Sequence, residues 1–158
     1  MNILFCGTGG QGILKMAEIC AVACMFDGFH VKKSEVHGMA QRGGSVESHL
    51  RFGKEIFSPL IPYGQADFLV SMHADEEARL AGFLKKEGVN LSRYLEEVNK
   101  LKDRKYANTF LLGVLSAHLK IKEENWIKSI EQEFAGRAPE ENKKIFKEGR
   151  KRGQDDLE

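Results

Sequence analysis

The sequence predicts an α/β fold with a Rossmann-like βαβ unit at its start and a helical C-terminal half. Three observations carry that reading. A short apolar run, Asn2-Ile3-Leu4-Phe5-Cys6, ends in the glycine-rich loop Gly7-Thr8-Gly9-Gly10-Gln11-Gly12. About thirty residues later a second apolar run leads into Ser34-Glu35-Val36-His37-Gly38-Met39-Ala40-Gln41-Arg42-Gly43-Gly44-Ser45, also rich in glycine. From Asp75 onward the apolar residues recur at helical spacing. Two glycine loops at the ends of adjacent parallel strands flank one crevice, the place where an α/β sheet holds its ligand.

The elements follow in order. Residues 2–6 are short, apolar and end in glycine, as a buried strand does. Residues 11–27 are almost all apolar or small, with Lys15 and Glu18 as exceptions. A helix apolar nearly all round is buried on more than one side. Gly28 stops it, and residues 29–36 supply a second strand, so 2–36 form one βαβ unit. A nucleotide-binding unit usually runs on into a helix. Here Val46, Leu50 and Phe52 alternate with Glu47, His49 and Arg51, which is strand periodicity. Gly53-Lys54 reads as a tight turn and 55–58 as a short return strand, while Pro59 and Pro62 mark an irregular loop. Residues 66–72 form another buried strand. A helix is expected over 75–87, opened by an Asp75 cap and an acidic first turn and closed by Gly88. Residues 92–102 are amphipathic, with Leu95, Val98 and Leu101 on one face. Residues 107–119 include Gly113, Ser116 and Ala117, small enough for close packing. Residues 122–134 place Trp126, Ile127, Ile130 and Phe134 at helical spacing, and Pro139 opens a last helix. Residues 150–158 are charged and expected to fray. No repeat or low-complexity linker interrupts the chain, so 1–158 reads as one domain.

Composition narrows the class. A chain of 158 residues suffices for one domain with a real core. The net charge of +1 gives no global field for nucleic acid or a membrane. Residues 1–80 hold 7 Lys+Arg against 9 Asp+Glu, and residues 81–158 hold 17 against 14. Lys143, Lys144, Lys147, Arg150, Lys151 and Arg152 cluster on the last helix without interleaved aromatics and read as a solvated face. No stretch approaches the ~20 apolar residues of a membrane span. The chain opens on a strand without a basic leader, and a cytoplasmic location is expected. Cys6, Cys20 and Cys24 match neither an iron–sulfur nor a zinc spacing and read as small hydrophobes in a reducing compartment.

The chemistry lies in the two loops. Gly7, Gly9 and Gly12 satisfy G-x-G-x-x-G between a strand and a helix. Glycines let the backbone turn sharply and approach a phosphate, and the helix N-terminus adds free N–H groups and a positive dipole end. The alternative is a tight turn that packs helix on sheet with no ligand. Glu35 lies near where an NAD site holds its ribose, but the strand that follows the second loop argues against a dinucleotide. Arg42, ahead of Gly43-Gly44, can clamp a phosphate or carboxylate, and Gln41 and His37 add donors. His37 is equally readable as a capping or packing histidine. His30, His49, His73 and His118 have no metal-ligand spacing. No Ser/His/Asp or Cys/His set is evident, so the chain is expected to bind rather than to catalyse alone.

The two loops together resemble the gamma-type subunit of the 2-oxoacid:ferredoxin oxidoreductases, the pyruvate and ketoisovalerate family. The wording Glu35-Val36-His37-Gly38-Met39 before Gln41-Arg42-Gly43-Gly44 is similar to the small beta subunit of the indolepyruvate enzymes. Ser58-Pro59-Leu60-Ile61-Pro62, Ala66-Asp67 and Asn108 before Leu111-Leu112-Gly113 are similar too, so the likeness covers nearly the whole chain. It implies a three-layer α/β/α domain with a mainly parallel sheet. It also implies a non-autonomous subunit of an enzyme of anaerobic metabolism that oxidatively decarboxylates a 2-oxoacid to an acyl-CoA and passes the electrons to ferredoxin. Thiamine diphosphate and iron–sulfur clusters then belong to a larger partner subunit, in a homo- or hetero-oligomer. Coenzyme A is expected partly on this chain, at Gly7, Thr8, Gly9, Gly10, Gln11, Gly12, His37, Gly38, Gln41, Arg42, Gly43, Gly44 and Asn108. No catalytic residue and no metal ligand is expected. One departure stands out: after the 75–87 helix a strand usual in the family is expected to be shortened or lost. That keeps two other readings open, a stand-alone nucleotide- or dinucleotide-binding protein and a shortened non-catalytic paralogue acting as an interaction module.

Overall fold

The computed structural model describes residues 1–38 and 43–158. Its strands are β1 (Asn2–Thr8), β2 (His30–His37), β3 (Ser45–Gly53), β4 (Ala66–Ser71) and β5 (Leu84–Asn90). Its α-helices are α1 (Ile13–Phe26), α2 (Ala74–Leu80), α3 (Leu95–Asn99), α4 (Ala107–Ala117), α5 (Glu123–Glu133) and α6 (Pro139–Asp155). Short 3-10 turns cover Ala81–Phe83, Leu91–Tyr94 and Arg104–Tyr106.

The strands make one sheet in the order β2-β3-β1-β4-β5. β1, β4 and β5 pair in parallel, while β3 runs antiparallel to both β1 and β2. Four strands therefore point one way and β3 the other. The expectation that β1 and β2 are adjacent is corrected here: β3 lies between them. The second glycine segment is the hairpin connection from β2 into β3. Because β3 starts where β1 and β2 end, with Ser45 opposite Thr8 and Val46 opposite His37, both glycine loops still gather at one edge of the sheet.

Alternate residues of β1 feed two cores. Ile3 and Phe5 face α1, α4, α5 and α6, where Met16, Leu111, Trp126 and Phe146 are fully buried. Leu4 and Cys6 face the other way, under Ile61 and Leu80. The result is three layers, thick with helices on one side and covered on the other by α2 and the loop around Ile61. α4 and α6 cross with backbone against backbone. A Cβ on Gly113 would lie 2.1 Å from the Phe146 carbonyl oxygen, and one on Gly149 2.1 Å from that of Phe110. No helix among the described residues is long and apolar enough to cross a membrane.

Several sequence expectations change. The helix foreseen over 75–87 stops at Leu80, and the strand thought lost is β5. The run Leu84-Lys85-Lys86-Glu87 suits a helix, but tertiary pairing decides. Gly64 N–H donates to the Gly82 carbonyl at 3.1 Å, and the Tyr63 ring occupies the space where a Gly82 Cβ would sit. The chain turns there, and Leu84, Val89 and Asn90 pair with Ala66, Phe68 and Leu69. His73, not Asp75, caps α2: its Nδ1 accepts the Asp75 N–H at 3.3 Å. Residues 55–58 form no strand, because their backbone groups are met by side chains. The Ile56 N–H bonds His30 Nδ1 at 3.1 Å, and the Phe57 carbonyl accepts from Lys32 at 3.1 Å. Residues 92–102 divide into a 3-10 turn and the short α3.

α6 runs to Asp155, Arg152 donates to Glu97 at 2.9 Å, and the Tyr94 hydroxyl donates to Asp156 at 2.5 Å. The basic cluster is partly spent inside the fold. Lys143 pairs with Glu131 at 2.7 Å, and Arg150 donates to the Ser116 carbonyl at 2.7 Å.

Candidate functional site

The two glycine loops are bonded to each other. Gly9 N–H donates to the Gly44 carbonyl at 2.9 Å, and within the second loop Gly38 N–H donates to the Ser45 carbonyl at 2.8 Å. A Cβ on Gly9 would lie 3.4 Å from the Gly43 nitrogen, so the loops approach as closely as bare backbone allows. Gly12 caps α1 in the left-handed region at φ 78, a conformation that only glycine takes without cost. A Cβ there would also come 2.3 Å from Asn108 Nδ2. Asn108, at the start of α4, is thus seated directly on the loop, while its Oδ1 accepts the Thr109 N–H at 2.9 Å.

Gln11 is a brace. Its Oε1 accepts the Thr8 N–H at 2.7 Å and its Nε2 donates to the Met72 carbonyl at 2.9 Å, tying the loop after β1 to the end of β4. Gly7 makes room for that brace, since a Cβ on it would meet Gln11 Oε1 at 2.6 Å. These two shape the loop from behind.

Two cavities open on either side of the loop. One, of about 440 Å³, is lined by Thr8, Gly9, Gly10, Leu14, His37, Gly38, Gly44 and Ser45 among others. The other, of about 470 Å³, is lined by Gln11, Leu95, Asn99, Arg104, Lys105 and Asn108 among others. Gly10, Gly12 and Lys15 line both, so the cavities meet at the start of α1. Intrahelical bonding in α1 begins with the Met16 N–H, which reaches the Gly12 carbonyl at 3.0 Å. The N–H groups of Ile13, Leu14 and Lys15 precede it and have no helical acceptor. No acidic side chain sits in that first turn, so the positive dipole end faces the junction uncompensated.

Three cations line the second cavity, and Lys15 alone among them also lines the first. Lys15 Nζ lies 3.0 Å from Glu133 and 4.9 Å from the Phe134 ring centroid. Lys105 pairs with Asp103 at 2.9 Å. Arg104 donates only to the neutral Asn99 Oδ1, at 2.8 Å, and meets no carboxylate among the described residues. Sequence reasoning missed all three as site residues. The signals were present: Lys15 is the one cation in an apolar helix, three residues past the loop, and Arg104-Lys105 stands just ahead of Asn108.

Other expected residues are placed as follows. His37 lines the first cavity and lies 3.8 Å from Glu35, the carboxylate partner that the sequence did not reveal. Glu35 also pairs with Lys33 at 2.9 Å. Gly43 is exposed at φ 69. Gln41 and Arg42 lie outside the described residues. Ser45 turns its hydroxyl away from the cavity to Glu76, at 2.7 Å, on the opposite face. Arg79 bonds Glu76 at 2.7 Å and Glu47 at 3.0 Å. Burial opposes charge on Glu76, but hydrogen bonds from Arg79 and Ser45 outweigh it and hold the carboxyl below its usual range. The three cysteines are free and buried. Burial pushes the Cys6 thiol up to about 11 and Cys20 well above its ordinary value. The junction thus sets glycine backbone, N–H groups without helical acceptors and Lys15 around one opening, a combination suited to an anionic group.

The model of the pyruvate ferredoxin/flavodoxin oxidoreductase family matches residues 2–152. A relative, indolepyruvate oxidoreductase subunit IorB of Thermococcus kodakarensis, is 42% identical over 88 residues, covering 56% of this chain and 44% of that protein. The relatives matched are longer, and the alignments cover between 39% and 63% of their length. The gamma subunit of a keto/oxoacid ferredoxin oxidoreductase from Geobacter sulfurreducens superposes with a TM-score of 0.78 at 24% identity, over 96% of this chain and 97% of that one. The 2-oxoglutarate:ferredoxin oxidoreductase of Magnetococcus marinus, solved with 2-oxoglutarate, coenzyme A and succinyl-CoA bound, has a TM-score of 0.79 at 17% identity. That match covers 98% of this chain and 31% of that one.

Proposed function

The chain belongs to the pyruvate ferredoxin/flavodoxin oxidoreductase family, and on that premise we propose that it is a non-autonomous subunit of a cytoplasmic 2-oxoacid:ferredoxin oxidoreductase that holds part of coenzyme A. The observation that carries the reading is the junction of the two cavities. It combines close-approaching glycine backbone, N–H groups at the start of α1 that have no helical acceptor, and Lys15, with Arg104 and Lys105 farther along the second cavity. Coenzyme A is a long ligand with a pyrophosphate in its middle, and such a ligand places that group at the helix N-terminus and an arm in each cavity. Coenzyme A in the solved 2-oxoglutarate enzyme, whose chain contains this fold, supports the choice.

Redox chemistry falls to the partner. A [4Fe–4S] cluster takes four thiolates. This chain has three cysteines, all buried, which do not fit one. A larger subunit accordingly carries thiamine diphosphate and the clusters, and ferredoxin takes the electrons. Names of the relatives favour indolepyruvate as the 2-oxoacid. A dinucleotide is disfavoured because β3 separates β2 from β1, which takes Glu35 out of the ribose-acceptor position, and because Glu35 is engaged by Lys33.

The test is calorimetric titration of the purified complex with coenzyme A and, separately, with NAD. Coenzyme A binding that weakens about tenfold or more in Lys15→Met, the loss of one charge-assisted contact, is the expected result. Binding of NAD in preference to coenzyme A, or coenzyme A binding indifferent to Lys15, would overturn it.

A further inference from the structure

The loop over residues 54–65 leaves β3 at the end of the sheet opposite the glycine loops, since β3 starts beside Thr8 and ends at Gly53 beside His30. A nine-residue strand at about 3.3 Å per residue sets the two ends roughly 25–30 Å apart. The loop has no regular structure, yet its backbone is fastened throughout. His30 Nδ1 accepts the Ile56 N–H and His49 Nδ1 the Ile61 N–H, each at 3.1 Å. Lys32 donates to the Phe57 carbonyl at 3.1 Å, and Arg51 to those of Ser58 at 3.0 Å and Leu60 at 3.3 Å. This rigid frame turns Phe57, Tyr63 and Leu60 outward, 80%, 75% and 52% exposed. One exposed apolar side chain is ordinary, but three on one pinned loop mark an interaction surface.

The charge around it is mostly positive: Lys32, Arg51 and Lys54 stand against the exposed Glu55, the one carboxylate within the loop. Lys32 and Arg51 spend their donors on neutral oxygens, Arg51 also reaching Asn2 Oδ1 at 2.9 Å. Neither they nor the exposed Lys54 meets a carboxylate among the described residues. A second copy of the chain would bring the same net positive charge against this one in a two-fold contact, which like-charge repulsion disfavours.

We propose that the 54–65 loop docks onto the larger subunit of the complex, which offers it an apolar socket rimmed with carboxylates. This rests on the reading of the chain as such a subunit. Phe57 and Tyr63 are the anchors, Lys32, Arg51 and Lys54 the rim, and the glycine cleft at the far end of the sheet stays clear of the contact.

The test measures the affinity of the purified chain for the purified larger subunit at low and high salt, with melting temperatures recorded for each variant. Phe57→Asp and Tyr63→Asp are each expected to weaken binding by about tenfold or more. Lys54→Glu weakens it too, and added salt weakens the wild type. Melting is unchanged in Phe57→Asp. Leu157→Asp, an exposed apolar position near the end of α6, binds like the wild type. If the wild type binds and the loop variants bind as well as it does, the docking proposal falls while the subunit reading stands. Should the loop variants instead abolish a homodimer seen by sedimentation, the loop is a self-association face and the proposal falls. If the wild type does not bind the larger subunit at all, the subunit reading fails and takes this one with it.

Discussion

Substituting alanine at Gly9, Gly10 and Gly12 in turn separates backbone strain from steric crowding in one loop. At Gly9 the backbone is ordinary and the nearest atom to a new methyl is 3.4 Å away, so stability should stay within about 1 kcal/mol of wild type. Gly10 sits at φ 94 with nothing within 4 Å among the described residues, so only strain applies, about 1–2 kcal/mol. At Gly12, φ 78 brings the same strain, and the methyl would lie 2.3 Å from Asn108 Nδ2. Overpacking of that kind adds about 1–3 kcal/mol. Lower unfolded-state entropy returns about 0.4–1 kcal/mol in every case. Gly12→Ala should therefore cost about 2–4 kcal/mol, or roughly 4–16 °C in melting temperature for a domain of this size. The cause can be isolated. In Asn108→Ala the nearest remaining atom, the Cβ, stands at 3.7 Å, so Gly12→Ala/Asn108→Ala should recover the crowding and keep only the strain. Urea unfolding of the four variants and the double variant measures this. Equal stability of Gly10→Ala and Gly12→Ala, or no recovery in the double variant, would refute the seating of Asn108 on the loop.

Three further outcomes follow from the geometry. Gly113→Ala should destabilise the fold despite a helix-propensity gain of about 1 kcal/mol, because its methyl would press on the Phe146 carbonyl at 2.1 Å; a neutral result in thermal unfolding would contradict the close crossing of α4 and α6. Burial disfavours the charged form of His118 and holds it below its ordinary value of 6.5, with the Arg93 charge adding to the effect. The unfolded chain therefore takes up the proton first, so stability should fall as pH drops below about 6.5 and level off once the folded imidazole is also protonated. Urea unfolding at pH 8 and pH 5.5 should show that loss shrinking in His118→Leu, and an unchanged loss would assign it elsewhere. Glu76→Gln removes the negative charge and one of the two acceptor oxygens met by Ser45 and Arg79; because Arg79 is 45% exposed and keeps Glu47 as a partner, urea unfolding at neutral pH should show a loss of about 1–2 kcal/mol, while wild-type Glu76 loses its contribution only as pH falls through its depressed value, below 4.5.

What could be read from the sequence was local. The first strand, the glycine loop and the apolar helix after it obey short-range rules, and β1 and α1 stand where periodicity placed them. The alternation over 45–52 likewise became β3. Pairing partners were not legible. Nothing in residues 45–52 says that their strand slips between β1 and β2 rather than beside them. β5 was misread because Leu84-Lys85-Lys86-Glu87 has helical composition, and the contact that ends α2, Tyr63 over Gly82, comes from a loop about twenty residues earlier in the chain. At the site, the glycines declared themselves through spacing. Lys15, Arg104 and Lys105 did not, because only the fold brings the turn before α4 against the start of α1. Gln11 belonged to the motif but proved to be a brace, a role visible only once Met72 is seen beside it.

The most direct test of the central claim is hydrogen exchange on the assembled complex with and without coenzyme A. Slowed exchange is expected at the amides of residues 9–15, where the N–H groups at the start of α1 have no helical acceptor, and at 104–108, with residues 54–65 unaffected by the ligand. Protection that leaves residues 9–15 untouched would place coenzyme A elsewhere and contradict the role assigned to this cleft.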